Sequence, residues 1–192
     1  MRTFSFIFAT IAFATVAFGH SDNDTIVFDR PVLADNVYNC LRDINAAANQ
    51  YAILGEYIST FKAEKGQKGL SLFHDKEQVL EHFIKEGISD CCPSSRPELN
   101  EFEISASADS IKTYVSNAIS ALHNIKEVRP EILGIQDAEM HARIHIRGMN
   151  DLTESLFKCL IPITPKEYVS DFVKMNQTLS NSFVDTKTTY GI

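Results

Sequence analysis

Apolar residues recur every three or four positions through most of this chain. The clearest run follows Asp35, where the apolar or small residues are Val37, Leu41, Ile44, Ala48, Tyr51, Gly55 and Ile58. This spacing places them on one face of an α-helix, whereas a half-buried strand would alternate apolar and polar residues. The pattern therefore predicts an all-α protein whose helices bury their apolar faces against one another.

Capping residues, glycines and prolines divide the pattern into five predicted helices. One long helix ends at Pro130 and another follows it. The first helix is capped by Asp35 or Asn36. A medium helix runs from Asp75 to Asp90, and Thr164-Pro165-Lys166-Glu167 opens a short fifth one. The connection after the second helix, 91–107, is long enough to cross a bundle at about 3.3 Å per residue. We therefore predict a ferritin-like four-helix bundle with a long crossover between helices two and three and a short fifth helix.

The N-terminus has the layout of a secretory signal peptide. Arg2 is followed by an uncharged run that ends in the small-residue step Ala17-Phe18-Gly19. The run is shorter than the roughly 20 residues that span a bilayer, so we expect cleavage rather than a membrane anchor. The predicted organisation is a signal peptide at 1–19, an extension at 20–35, a helical domain at 36–182 and a tail at 183–192. We expect a secreted protein.

Charge and missing motifs argue against several functions. The net charge of −7 disfavours a nucleic-acid partner. The sequence has neither a Gly-x-Ser-x-Gly elbow nor a glycine-rich phosphate loop. We therefore predict that the protein is not an enzyme.

Four cysteines, Cys40, Cys91, Cys92 and Cys159, predict disulfides in an oxidising compartment. If helices one and two are antiparallel, Cys40 lies beside Cys91 or Cys92. In a bundle with the long crossover, Cys159 lies at the far end and stays outside any internal bond. In a simple up-and-down bundle, all four cysteines gather at one end instead.

Other polar residues are candidates for modification or metal binding. Asn23 and Asn176 begin Asn-x-Thr sequons and are predicted glycan acceptors. His141 and His145 stand one helical turn apart, a spacing at which two imidazoles can share a transition metal. His82 is a third possible metal ligand, although a solvated helix histidine is the simpler interpretation of each.

Short segments of the chain resemble ferritins, in particular secreted insect-type ferritins. The segments are Asp43-Ile44-Asn45 leading to Phe61, Gly69-Leu70-Ser71-Leu72-Phe73 followed by His82, Lys112 to His123, and Phe183-Val184-Asp185-Thr186-Lys187. Together they cover roughly residues 36–187.

The resemblance implies a shell subunit without a complete iron-oxidation centre. At the positions of the family's metal ligands this chain has Ala47, Leu54, Gln78, Val79, His82, Lys112 and either Met140 or His141. Only His82 is retained. The resemblance therefore implies a structural subunit in iron storage, with iron as a possible cofactor and homologous ferritin subunits as partners.

Two other functions remain open from the sequence. A secreted helical bundle can act as a signalling or interaction protein. The 13 phenylalanines and 6 tyrosines also suggest a cavity between helices for a small hydrophobic ligand.

Overall fold

The computed structural model describes residues 33–62, 66–93 and 99–192, and all regular structure in these ranges is α-helical. The helices are α1 (Asp35–Ser59), α2 (Gly66–Cys91), α3 (Glu101–Glu127), α4 (Arg129–Leu133), α5 (Ala138–Ile163) and α6 (Lys166–Tyr190). The prediction of an all-α bundle is confirmed. The predicted signal peptide and Asn23 lie outside the described residues.

Side-chain hydrogen bonds fix the direction of the first three helices. Asn117 and Asn124 of α3 donate to the carbonyl oxygens of Ala48 and Gly55 in α1, at 2.9 and 3.0 Å. Both pairs have the same sequence offset, so α1 and α3 run parallel. Tyr57 near the end of α1 donates to the carbonyl oxygen of Gly69 near the start of α2, at 2.8 Å. These two neighbouring helices are therefore antiparallel.

The last two long helices close the bundle. α5 packs against α2 and α6, and α6 packs against α3. The Tyr190 hydroxyl at the end of α6 donates to the carbonyl of Ile125 near the end of α3, at 2.8 Å. The five long helices therefore alternate in direction along the chain, with short α4 in the turn before α5.

The long crossover predicted between the second and third helices is wrong. The backbone N–H of Ala34, just before α1, donates to the Glu103 carboxylate at the start of α3, at 3.0 Å. Cys40 near the start of α1 is bonded to Cys91 at the end of α2. The end of α2 and the start of α3 thus lie at the same end of the bundle, and the chain has no need to cross it.

Three helix boundaries also differ from the predictions. α2 begins at Gly66 rather than Asp75. α3 begins at Glu101 because Asn100 and Glu103 form a capping box, with reciprocal hydrogen bonds of 3.0 Å. The residues predicted as a C-terminal tail, 183–192, instead continue α6 to Tyr190, so this helix has 25 residues and is not short.

Two disulfides lie at one end of the bundle. Cys40 pairs with Cys91 across a Cα–Cα distance of 4.7 Å, and Cys92 pairs with Cys159 across 5.9 Å. The predicted bond of Cys40 to Cys91 or Cys92 is confirmed. The expectation that Cys159 stays outside an internal bond is wrong, because α5 runs parallel to α2 and ends beside it. The disulfides agree with a secretory route, and none of the described helices combines the length and apolarity needed to cross a membrane.

Candidate functional site

A cavity of about 220 Å³ lies at the end of the bundle opposite the disulfides. It forms where the end of α1, the start of α2, the end of α3, α4, the start of α5 and the end of α6 converge. Its apolar lining residues are Ile58, Phe61, Leu70, Phe73, Ile125, Val128, Ile132, Ala138, Ala142, Ile146 and Met149. Most of this wall is aliphatic, which suits a ligand segment without polar groups.

The polar lining of the cavity is concentrated on α2 and α5. Ser71 and His74 come from α2, and His141 and His145 come from α5. Ser71 and His141 are exposed and His74 is half-buried, so the cavity approaches the surface between these two helices. The remaining polar lining group, the Tyr190 hydroxyl, is bonded to a backbone carbonyl.

His145 connects two polar partners at the cavity wall. Its Nδ1 atom lies 2.6 Å from Oε2 of Glu77, and its Nε2 atom lies 3.1 Å from Nδ1 of His74. His74 in turn contacts the Gln78 amide nitrogen through its Nε2, at 2.9 Å. One consistent assignment has Gln78 donating to His74, His74 to His145 and His145 to Glu77.

Glu77 is the buried end of this chain of contacts. Its side chain is 0% exposed, whereas His145 retains 9%. Burial raises the pKa of the Glu77 carboxyl, and the contact with His145 opposes that rise. Among the described residues, neither carboxylate oxygen of Glu77 has a hydrogen-bond partner of good geometry, although Oε2 lies 2.6 Å from Nδ1 of His145. A carboxyl buried behind a histidine of the cavity wall in this way is a feature of functional sites.

A charged cluster lies next to the cavity residues Ala138 and Tyr190. Glu139 accepts hydrogen bonds from Arg129 at 3.0 Å and from Arg143 at 3.2 Å. The Arg129 hydrogen bond is the main cause that lowers the pKa of the Glu139 carboxyl. Arg129 also lies over the Tyr190 ring, 5.7 Å from its centroid, and so connects α6 to the start of α5.

The structure brings together two of the three histidines predicted as metal ligands. The rings of His141 and His145 stack with their centroids 6.4 Å apart. His82 is elsewhere on α2, where it is exposed and faces Glu86 at 3.9 Å. Metal binding by these histidines remains a prediction, as does glycosylation of half-buried Asn176 on α6.

The site contains two residues that the sequence analysis missed, His74 and Glu77. They form a His-x-x-Glu pair, which places both side chains on one face of a helix. The signal was present, but a helix predicted to start at Asp75 left His74 outside it.

The residues at the ferritin ligand positions do not converge. Ala47 and Leu54 are buried in the core, while Val79 and Met140 are exposed. Lys112 is also exposed, on α3. Buried and solvent-facing positions on different helix faces cannot share one metal centre.

The fold is similar to that of several solved helical proteins. A crystal structure of AFMP4P in complex with palmitic acid matches with a TM-score of 0.73 and 13% identity, over 80% of this chain and 99% of that chain. Ligand binding domain 2 of the Penicillium marneffei MP1 protein, complexed with multiple arachidonic acids, matches with a TM-score of 0.68 and 12% identity, over 84% of this chain and 98% of that chain. Domain 1 of MP1, also with arachidonic acids, gives 0.67 and 9%, over 82% of this chain and 98% of that chain.

These likenesses show the fold alone. No protein-family model matches the chain, and comparison with curated protein sequences gives no significant match. The predicted iron-storage function is nevertheless wrong, because the fold that the chain shares with these structures is not the ferritin bundle that the prediction required. The bundle also lacks the crossover on which that prediction rested.

Proposed function

We propose that this protein binds a hydrophobic ligand with an alkyl chain and a carboxylate head group, of the fatty-acid class, and acts as its secreted carrier. The observation that carries the proposal is the cavity of about 220 Å³ with an aliphatic wall and histidines at its opening. An apolar wall accepts the hydrocarbon chain, and imidazoles at the opening offer N–H donors to the head group. The palmitic acid and arachidonic acids of the structural neighbours support the same ligand class.

The cavity volume sets an expectation for chain length. An apolar cavity of about 150 Å³ holds benzene, so one of about 220 Å³ holds on the order of eight to ten carbon atoms. Each buried methylene contributes about 0.8 kcal/mol, or roughly a fourfold gain in affinity. We therefore expect affinity for saturated fatty acids to rise with length up to about ten carbons and to rise less steeply beyond.

The proposal is tested with delipidated, disulfide-bonded protein. The chain has no tryptophan, so native mass spectrometry and displacement of a fluorescent fatty acid are suitable measurements. We expect one fatty acid per protein. Ala142→Phe inserts a ring into the cavity wall and should weaken binding at least tenfold, because the ligand and the ring compete for the same volume.

Ala52→Phe is the matched control, since Ala52 is exposed on α1 and away from the cavity lining. It should leave the affinity unchanged. Thermal unfolding of both variants checks that the fold is retained. Failure of the wild-type protein to bind any fatty acid of the series, or equal loss in both variants, would contradict the proposal.

A further inference from the structure

The polar cluster beside the cavity contains groups that binding a carboxylate head group does not require. The fatty-acid proposal uses exposed N–H groups at the opening, but it leaves buried Glu77 and the contact between His74 and His145 without a role. Ligand atoms of these three residues all lie within 4.8 Å of one another. Two imidazoles and a carboxylate are a common donor set for transition metals in proteins.

The spacing of the two imidazoles fits a shared metal. Nδ1 of His74 and Nε2 of His145 are 3.1 Å apart. Two nitrogens that bind one tetrahedral zinc ion at about 2.0–2.1 Å lie about 3.3 Å from each other. A metal ion can therefore replace the proton that lies between the two rings with little movement of either helix.

Glu77 prepares His145 for this role. Its Oε2 atom lies 2.6 Å from Nδ1 of His145, so the carboxylate favours the tautomer with the proton on Nδ1. The lone pair is then on Nε2, which faces His74. A carboxylate behind a ligating histidine is the usual arrangement around protein-bound zinc, where it orients the ring and raises its basicity.

Neighbouring side chains can supply a hydrogen-bond partner for His74 and a third metal ligand. Gln78 contacts the Nε2 of His74 and, after rotation of its amide group, can accept that N–H once Nδ1 binds a metal. His141 is exposed one turn before His145 and lies on the same helix face. It offers a third imidazole, and water or a carboxylate can complete the coordination from the cavity side.

We propose that this protein has a binding site for one divalent transition metal of the zinc class at the cavity opening, with His74 and His145 as ligands and Glu77 as the positioning carboxylate. Imidazole donors favour zinc, cobalt, nickel and copper over calcium and magnesium. The site shares its histidines with the fatty-acid proposal but does not depend on it, because His74, His145 and Glu77 are in place without a lipid.

The test uses delipidated, disulfide-bonded protein produced without a histidine tag. Zn²⁺ is titrated by calorimetry, and Co²⁺ is used as a probe for its ligand-field absorption. We expect one equivalent of either ion to bind saturably, with no competition from a large excess of Ca²⁺. His74→Ala and His145→Ala should each abolish the one-equivalent phase. Glu77→Gln should weaken it by 10- to 100-fold, the usual loss when an outer-shell partner is changed.

His82→Ala is the matched control, because His82 is an exposed histidine on the same helix as His74 and pairs only loosely with Glu86. It should leave zinc affinity unchanged. Thermal unfolding of each metal-free variant establishes that it is folded. Because His74 is only half-buried, its substitution should disturb the fold less than substitution of His145 or Glu77. No saturable wild-type binding, or equal loss in the His74 and His82 variants, would overturn the proposal. Fatty-acid binding by the same metal-free protein, measured separately, distinguishes failure of this site from failure of the carrier function.

Discussion

Two buried tyrosines that contact each other differ in the hydrogen bonding of their hydroxyl groups. The rings of Tyr51 and Tyr114 meet edge to face with their centroids 5.4 Å apart, and both side chains are 0% exposed. The Tyr114 hydroxyl shares a hydrogen bond of 3.0 Å with Thr153. The Tyr51 hydroxyl has no partner of good geometry among the described residues. The two residues therefore form a natural pair for comparison.

We predict opposite effects when each hydroxyl is removed. Tyr114→Phe leaves the buried Thr153 hydroxyl without its partner and should lower the free energy of unfolding by about 1 kcal/mol. Tyr51→Phe removes an unpaired buried polar group and should leave stability unchanged or raise it by up to about 1 kcal/mol. Denaturant unfolding of both variants at neutral pH measures the difference. A loss of stability in Tyr51→Phe equal to that in Tyr114→Phe would show that the Tyr51 hydroxyl is bonded in solution.

Tyr51 also gives a prediction for alkaline pH. Burial raises the pKa of Tyr51 from 10.0 to about 12. Because the folded-state pKa lies above the unfolded one, the stabilisation from the neutral phenol is complete below pH 10 and is lost as the pH rises through about 12. Tyr51→Phe should therefore lose less stability than the wild type over this range, as measured by denaturant unfolding at stepwise increasing pH. Parallel loss in both proteins would contradict the assignment.

Among the site residues, the sequence predicted only the proximity of those that lie on the same helix. The one-turn spacing of His141 and His145 was visible because both lie on one helix. Their meeting with His74 depends on which helices are neighbours. That relation is set by packing between α2 and α5, and no sequence spacing encodes it.

A close approach between the backbones of two long helices occurs at a glycine of α1. A methyl group added to Gly55 would lie 3.3 Å from the Cα atom of Ala121 in α3. The same stretch carries the hydrogen bond from Asn124 to the Gly55 carbonyl, at 3.0 Å. The obstacle is backbone and cannot rotate away, so a larger residue has to separate the helices.

We predict that Gly55→Ala lowers the free energy of unfolding by about 1 kcal/mol. The helix-propensity gain of about 1 kcal/mol is outweighed by overpacking, which costs about 1–3 kcal/mol. Gly134→Ala is the control: this exposed glycine has an ordinary φ of −78°, and the nearest atom to an added methyl is 3.9 Å away. It should be neutral or slightly stabilising in the same denaturant titration. Stabilisation by Gly55→Ala would show that the two helices separate at little cost.

The existence of the five long helices could be predicted from the sequence, but the starts of α2 and α3 and the short helix α4 could not. The glycines in segment 65–69 indicate a break on propensity alone, yet α2 already begins at Gly66, whose φ is +50°. Its first turns are held by packing on α1, where the Gly69 carbonyl accepts the Tyr57 hydroxyl. Tertiary contacts of this kind routinely override local propensity. The earlier start of α2 is also what makes His74 a helical residue of the site.

At the scale of the whole molecule, the two ends of the bundle have different features. One end carries both disulfides, and the other carries the cavity and the histidines. The sequence left two topologies open, and the cysteines distinguish them because only an up-and-down arrangement brings Cys159 beside Cys92. A bond between these two residues is therefore a direct chemical test of the topology.

We predict that the paired substitution Cys40→Ala/Cys91→Ala leaves one internal disulfide, between Cys92 and Cys159. Non-reducing peptide mapping after thiol blocking should find these two peptides linked and no free thiol. In the wild type the adjacent positions of Cys91 and Cys92 join three peptides together, so this variant is needed to resolve the pairing. A free Cys159 in the folded variant, or a disulfide between Cys159 and a second molecule, would contradict the up-and-down topology.

The same variant and its counterpart, Cys92→Ala/Cys159→Ala, separate stability from function. The two bonds close loops with sequence separations of 51 and 67 residues, so each is expected to contribute about 4 kcal/mol by restricting the unfolded chain. Denaturant unfolding should show a loss of this order in either variant. Because the cavity lies at the opposite end of the bundle, fatty-acid affinity measured well below the unfolding midpoint should stay within about twofold of the wild type. A large loss of affinity in a variant that is still folded would show that the disulfide end and the cavity are coupled through the length of the helices.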